Sequence, residues 1–458
     1  CLITYLPFIL PSILVVLAMI LFFGNNGWIN RTLMFLFSTD QIPVQFLYSF
    51  SGILIAHVFY NFPIAMKIVA DQWEGISTEY SEASRSLGVG SMRFFFSVTL
   101  PLLMPSFGSA FILIFLLCMN SFAIILVLGG GIHYTTIEVL IFQLARIELD
   151  YSGASSLAFL QCLISLFCIT TIIFTGQQNI EQKKSNKECL IRMIKNFCPK
   201  AWLGFFWIVI ILFFALGPLF TIVLDSFRKF ENGEWIYSIY WYKKLFDGEE
   251  NNSFILAMWN SIRIGFGSAL LSSLLGLGLI KLIVYKKGIY RRFWEAYILF
   301  PLSLSTIVFG VAWFHFYENH LFDFIPLVYV VIFMHALLIF PYWIRVVIPS
   351  LESIPLQWYL ESKMLGTKSL KFGLKILLPW LKKSILIAFF FSFSLSLGEL
   401  NSTMMIADES IRTLPLEIFD AISGYRFSYA AVISVILLLL SISAFLLVEF
   451  CFKFIDKS

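Results

Sequence analysis

Few side chains in this chain could do chemistry, and most of those lie among apolar residues. Glu399 closes a long apolar run and is followed by Asn401, Ser402 and Thr403; Ser121 closes another such run, just after Asn120. Burying an ionisable group in lipid costs on the order of 2.5–3.5 kcal/mol, so such a group generally faces a cavity or a partner. A carboxylate placed this way could stabilise a passing cation. The other reading of Glu399 is a hydrogen-bonded contact between helices. His57, Asn61, His315 and His335 are further polar residues in apolar surroundings, and His57 and His335 read equally as packed, singly bonded histidines. Hydrolytic chemistry has no foothold. H-E-x-x-H and G-x-S-x-G are absent, as is the dipeptide Gly-Lys that a phosphate-binding loop requires. No catalytic residue, metal site or bound cofactor is expected, and no nucleic-acid partner.

The elements that must position these groups are membrane helices. The chain has 458 residues, 59% hydrophobic and 13% charged, about half the charge of a soluble domain. About 20 apolar residues cross the hydrocarbon layer. Ten stretches qualify, near 2–23, 47–70, 104–127, 153–175, 202–225, 257–284, 295–316, 325–349, 383–405 and 429–452. Backbone polar groups must be satisfied internally at that depth, which excludes an open sheet. The expected fold is an all-α polytopic membrane protein.

Basic residues fix the orientation, because cytoplasmic loops collect Lys and Arg. "EQKKSNKECLIRMIKNFCPK" (181–200) holds six, "YKKGIYRR" (285–292) four, and residues 360–383 six lysines. In contrast, 317–324 has none and 24–46 has only Arg31. All the basic loops share the cytoplasmic side if the chain starts inside, which puts 71–103 and 350–382 there too. Cys189 and Cys198 fall in the basic linker without a nearby His, a poor pattern for a metal, and no expected external loop carries a cysteine for a disulfide.

The chain repeats itself. A displacement of 278 residues places Phe62-Pro63 on Phe340-Pro341, Lys67 on Arg345 and Glu74 on Glu352. It also places Leu87-Gly88 on Leu365-Gly366, Phe94 on Phe372 and Leu100-Pro101 on Leu378-Pro379. Further on, "TTIEVLIF" (135–142) echoes "RTLPLEIF" (412–419), and Ser121 falls on Glu399. An even number of spans separates the copies, so the halves are parallel, unlike inverted-repeat carriers. The expected organisation is a first helical-bundle half over 1–180 with four spans, a cytoplasmic linker over 181–200, and a second half over 201–458 with six.

"EASRSLG" (82–88), with Pro101 thirteen residues beyond its glycine, resembles the EAA signature of permease subunits of bacterial ABC importers. The second copy, "LESKMLGTKSLKFGLKILLPW" (360–380), keeps the Leu-Gly, the spacing and the Leu-Pro but has Leu360 where Glu82 stands. The resemblance implies a coupling loop made of Glu82, Ala83, Ser84, Gly88 and Pro101, and a second made of Glu361, Ser362, Gly366 and Pro379. Each would dock on an ATP-hydrolysing subunit. Gly88 and Gly366 would turn the backbone, and each Leu-Pro would open the following span, where the missing proline N–H costs little.

"GILIAHVFYNFP" (52–63), "SFAIILVLGGG" (121–131) and "SLGELNSTMMIA" (396–407) resemble the fused, double-length permeases that import ferric iron or thiamine. This implies a type I permease-like fold in the bacterial inner membrane. The implied partners are two ATP-binding cassette subunits that use the ATP, a periplasmic or lipid-anchored substrate-binding protein, and membrane lipid. Ser121, Glu399 and Asn401 would lie along the substrate path. Pro7 resembles Pro301, so two further helices are expected ahead of residue 1. The alternative, without an ATPase, is an ion-coupled carrier, which would require several mid-span carboxylates, or a channel, which would not explain two coupling loops. The stripe Gly265, Gly267, Ser268, Ser272, Gly276 is read as close helix packing.

Overall fold

The computed structural model describes residues 10–129, 133–175, 199–231, 234–247, 251–280, 289–318, 325–367, 369–408 and 411–455. Cys1, Cys189, Cys198 and residues 181–198 of the expected linker lie outside these. Among the described residues nine helices are long and apolar enough to cross a membrane, each within one of the expected stretches or overlapping it. The chain is an all-α polytopic membrane protein, apart from one short hairpin.

The early helices are α1 (Ser12–Phe23), α2 (Trp28–Phe37), α3 (Phe50–Glu74) and the short α4 (Thr78–Ser86). They are followed by α5 (Ser91–Phe94), a π turn (Phe95–Thr99), α6 (Leu100–Met119), α7 (Ala123–Leu128), α8 (Ile137–Phe142) and α9 (Tyr151–Thr175). Next come α10 (Pro199–Ser226), strands β1 (Arg228–Glu231) and β2 (Glu234–Tyr237), and α11 (Tyr240–Asp247). The remaining elements begin with α12 (Asn251–Leu279), α13 (Ile289–Leu299), α14 (Thr306–Glu318), α15 (Leu327–Glu352) and α16 (Leu356–Met364). They end with α17 (Ser369–Phe372), a π turn (Gly373–Leu377), α18 (Leu378–Leu397), α19 (Asn401–Ile406), α20 (Leu414–Ser423) and α21 (Phe427–Ile455).

Three expectations change. The stretch 295–316 is not one span: a 3-10 turn at Phe300–Ser303, built around Pro301, breaks it into α13 and α14. Proline removes a ladder donor and clashes one turn back, so an apolar run need not be a continuous helix. The loop at 24–46 contains α2, whose Asn30 is buried. Its Nδ2 donates to Gly24 O (2.9 Å) and Val44 O (2.8 Å), and its Oδ1 accepts from Val44 N (2.9 Å). Thirdly, Pro101 and Pro379 each stand second in α6 and α18 as expected, but the helical path does not start there, because a π turn leads into each. The first helix already begins at Ser91 and runs through the π turn to Met119. Leu100 N and Leu378 N each donate five residues back, to Phe95 O and Gly373 O. That wider turn accommodates the proline that follows each of them.

The chain forms two compact units. One comprises the described residues within 18–134 and 164–221, and the other those within 10–17, 135–163 and 222–455. The expected halves are sequence repeats, and these units are spatial groupings. In the first unit α3 packs along α6. In the second, α12, α15 and α18 pack mutually around Phe340, Trp343, Ile344, Val347, Leu381 and Ala388.

The small-residue stripe of α12 makes that packing possible. A Cβ on Gly265 would sit 3.0 Å from the Phe393 ring, and one on Gly267 would sit 2.9 Å from Ile332 Cδ1. Ser268 Oγ donates to Ile332 O at 3.1 Å. On Gly276 a Cβ would enter the ring of Trp343, which is fully buried, whereas Gly278 faces open space. Gly276→Ala should therefore lower stability by about 1–3 kcal/mol, the usual cost of overpacking. Gly278→Ala should be neutral or stabilising by about 0.5–1 kcal/mol through helix propensity. Thermal unfolding in detergent, followed by fluorescence-detected size exclusion, compares the two.

Candidate functional site

The two loops fold alike because the same short signals recur. In the first, Ser77 Oγ accepts from Glu79 N (3.3 Å) and caps α4, with Glu79 in its first turn and Arg85 in its last. This charge order suits the helix dipole. At the other end Gly88 N donates to Arg85 O (3.0 Å) and Val89 N to Ser84 O (2.9 Å). This is a Schellman closure, which requires a left-handed residue. Gly88 supplies it at φ +69°. In the second loop Thr367 N donates to Ser362 O (3.0 Å), its hydroxyl bonds the same oxygen, and Gly366 turns at φ +66°. These two are the only positive-φ glycines among the described residues.

Around each turn the side chains divide by exposure. Glu82, Ala83, Arg85 and Glu361 are exposed, Ser84 is half-buried, and Ser362 is buried. Leu87 and Leu365 are 80% and 81% exposed beside these charges. Pro101 and Pro379 are exposed in the helices that follow. Aromatic pairs flank both loops: Trp73 lies against Phe95 (5.9 Å between ring centroids) and Trp358 against Trp380 (5.2 Å).

Ser121 and Glu399 occupy equivalent breaks, Ser121 between α6 and α7 and Glu399 between α18 and α19. Ser121 N donates to Cys118 O (3.2 Å). Glu399 Oε1 accepts from both Ser402 N and Ser402 Oγ, each at 3.0 Å, and so satisfies the start of α19. Asn401 Nδ2 donates to Thr306 Oγ1 (3.0 Å) at the start of α14. His335 bonds on both ring nitrogens, to Ser396 Oγ and Thr403 Oγ1, each at 2.8 Å. It is a fully tied core residue. In the first unit, His57 Nδ1 meets Ile53 O (2.9 Å) and Asn61 Nδ2 meets Cys118 Sγ (3.4 Å).

Besides Asp225, which is paired with Arg228 (2.8 Å), two buried carboxylates carry no sequence signal. Glu417 accepts from Ser253 Oγ (3.3 Å), Tyr429 Oη (3.3 Å) and Arg412 Nη1 (3.4 Å), a packed ion pair. Glu138, in α8, is entirely buried and joins Gln161 Nε2 (2.6 Å) to Ile307 N (3.4 Å). In the repeat comparison it falls on Pro415, so the second copy holds no counterpart to flag it.

The family model described as "Binding-protein-dependent transport system inner membrane component" matches residues 1–186 and 268–458. The Thiamine transport system permease protein ThiP of Brucella suis biovar 1 (strain 1330) is 26% identical over 452 residues, covering 97% of this chain and 79% of that protein. The protein of the same name from Escherichia coli (strain K12) is 26% identical over 460 residues, covering 96% and 80%. The Putative 2-aminoethylphosphonate transport system permease protein PhnU of Salmonella typhimurium is 32% identical over 158 residues, covering 34% of this chain and 54% of that protein.

Proposed function

We propose, for a chain that belongs to the binding-protein-dependent transport system inner membrane component family, that the cargo is thiamine and that residues 82–101 and 361–379 couple its passage to ATP hydrolysis in separate subunits. The chain is a multi-pass permease of the bacterial inner membrane. One observation carries the coupling reading: two loops 278 residues apart close with the same left-handed glycine and present the same exposed leucine. A leucine held out among charges on a closed turn is shaped for a partner's cleft. Two such loops fit two ATPase copies, one on each. Thiamine follows from the similarity to the ThiP proteins along nearly the whole chain. Thiamine is a cation, which suits Glu399 and Asn401 beside the start of α14, with Ser121 at the corresponding break of the other repeat. A substrate-binding protein would deliver it to the external side.

Reconstitution in proteoliposomes with a partner ATPase and binding protein tests this. Thiamine uptake should require ATP and be lost when either partner is left out. Uptake that proceeds without the ATPase would return the chain to the ion-coupled class. ATP-driven uptake of ferric iron with no thiamine uptake would replace the cargo.

A further inference from the structure

Glu138 is the described carboxylate that is both wholly buried and bonded only to neutral groups in the contacts above. A polar group removed from water is costly unless hydrogen bonds compensate, so deleting this acceptor would leave its buried partners unpaired. One oxygen takes Gln161 Nε2 from α9, and the other takes Ile307 N, in the first turn of α14. That N–H has no partner within its own helix, and a carboxylate there also complements the helix dipole. Thr306, adjacent in sequence, holds Asn401. Farther along α14 the same early segment grips again: the Arg146 guanidinium stacks over Phe314 (4.8 Å), and Tyr151 lies against His315 (5.8 Å). Residues 138–161 thus splint α14 at both ends, beginning just past the break at Phe300–Ser303.

We propose that Glu138 is a positioning residue for transport, fixing the start of α14 and the Thr306–Asn401 contact that depends on it. This rests on the chain's being a permease and not on Glu399 touching cargo. A broken helix has no ladder across its break to set its direction, and an external tie supplies that constraint.

The test compares Glu138→Ala, Glu138→Gln and Gln161→Leu in the intact transporter, measuring thiamine uptake against the amount of permease in the membrane. Glu138→Ala should lower maximal uptake by about fivefold or more, because the start of α14 loses the tie that sets its direction. Glu138→Gln should keep at least about half of it, since its amide oxygen still accepts Ile307 N–H while the Gln161 amide rotates to accept the new NH2. Full uptake by Glu138→Ala overturns the proposal. So does an equal loss in the Ala and Gln variants, which would assign the effect to charge. If the Ala variant does not accumulate, Gln161→Leu decides: a loss of about twofold or more at normal abundance supports the tie, and unchanged uptake removes it. A null result with Glu399→Gln leaves all these outcomes as they stand.

Discussion

Valine at both Gly88 and Gly366 is expected to cut uptake by at least tenfold while the permease remains in the membrane at its normal level. Both residues sit in the left-handed region, at φ +69° and +66°. A residue with a Cβ pays about 1–2 kcal/mol there, and a β-branched one sits at the upper end. Two sites together oppose the closed turns by about 2–4 kcal/mol, and 1.4 kcal/mol already corresponds to tenfold. Space plays no part, because a Cβ at either position meets nothing within 4 Å. The loss is therefore one of backbone angle, and it should follow the order Val, Ala, Asn, with Asn mildest because it tolerates the left-handed region. The measurements are uptake normalised to membrane protein and recovery of the ATPase with the tagged permease. Wild-type uptake by the double valine would remove the coupling role from these loops.

Glu399→Gln is expected to lower thiamine uptake by about tenfold, the consequence of losing roughly 1.4 kcal/mol of attraction for a cation in a poorly screened site. The substitution is informative because of what it preserves. A single oxygen of Glu399 takes both bonds from Ser402, and a glutamine oxygen can take the same two. Glu399→Leu removes that acceptor, leaves Ser402 N–H and hydroxyl unpaired at the start of α19, and should cost about 1–3 kcal/mol of stability. The Gln variant thus reports on charge and the Leu variant on the cap. Normal uptake in the Gln variant would leave Glu399 as a cap alone.

What the sequence made visible were features with a period or a copy. The nine long helices among the described residues announce themselves by apolar length, the two loops by their displacement of 278 residues, and the α12 stripe by small residues at helical spacing. The hidden features depend on partners distant in the chain. Asn30 reads as a loop residue until Gly24 and Val44 close around it. Glu138 sits near the start of a short helix that continues into a π turn at Gln143–Ile147, and it has no repeat counterpart. Its importance comes from Gln161 and Ile307, the latter far away in sequence. The break in 295–316 is hidden for another reason. Apolar length measures the cost of leaving water, and Pro301 changes the path of the backbone without changing that cost.

The π turns at Phe95–Thr99 and Gly373–Leu377 have a mechanical meaning for the helices they join. An α-helix advances about 100° per residue, so one extra residue in a turn clocks everything before it against everything after it. In both repeats this offset lies between the tip of the loop and the long helix that enters the membrane. The direction in which Leu87 and Leu365 point is thus set by residue number as much as by residue type. Removing a single residue there would act as a twist of a shaft, swinging the loop through more than a quarter turn while leaving every side chain in it unchanged.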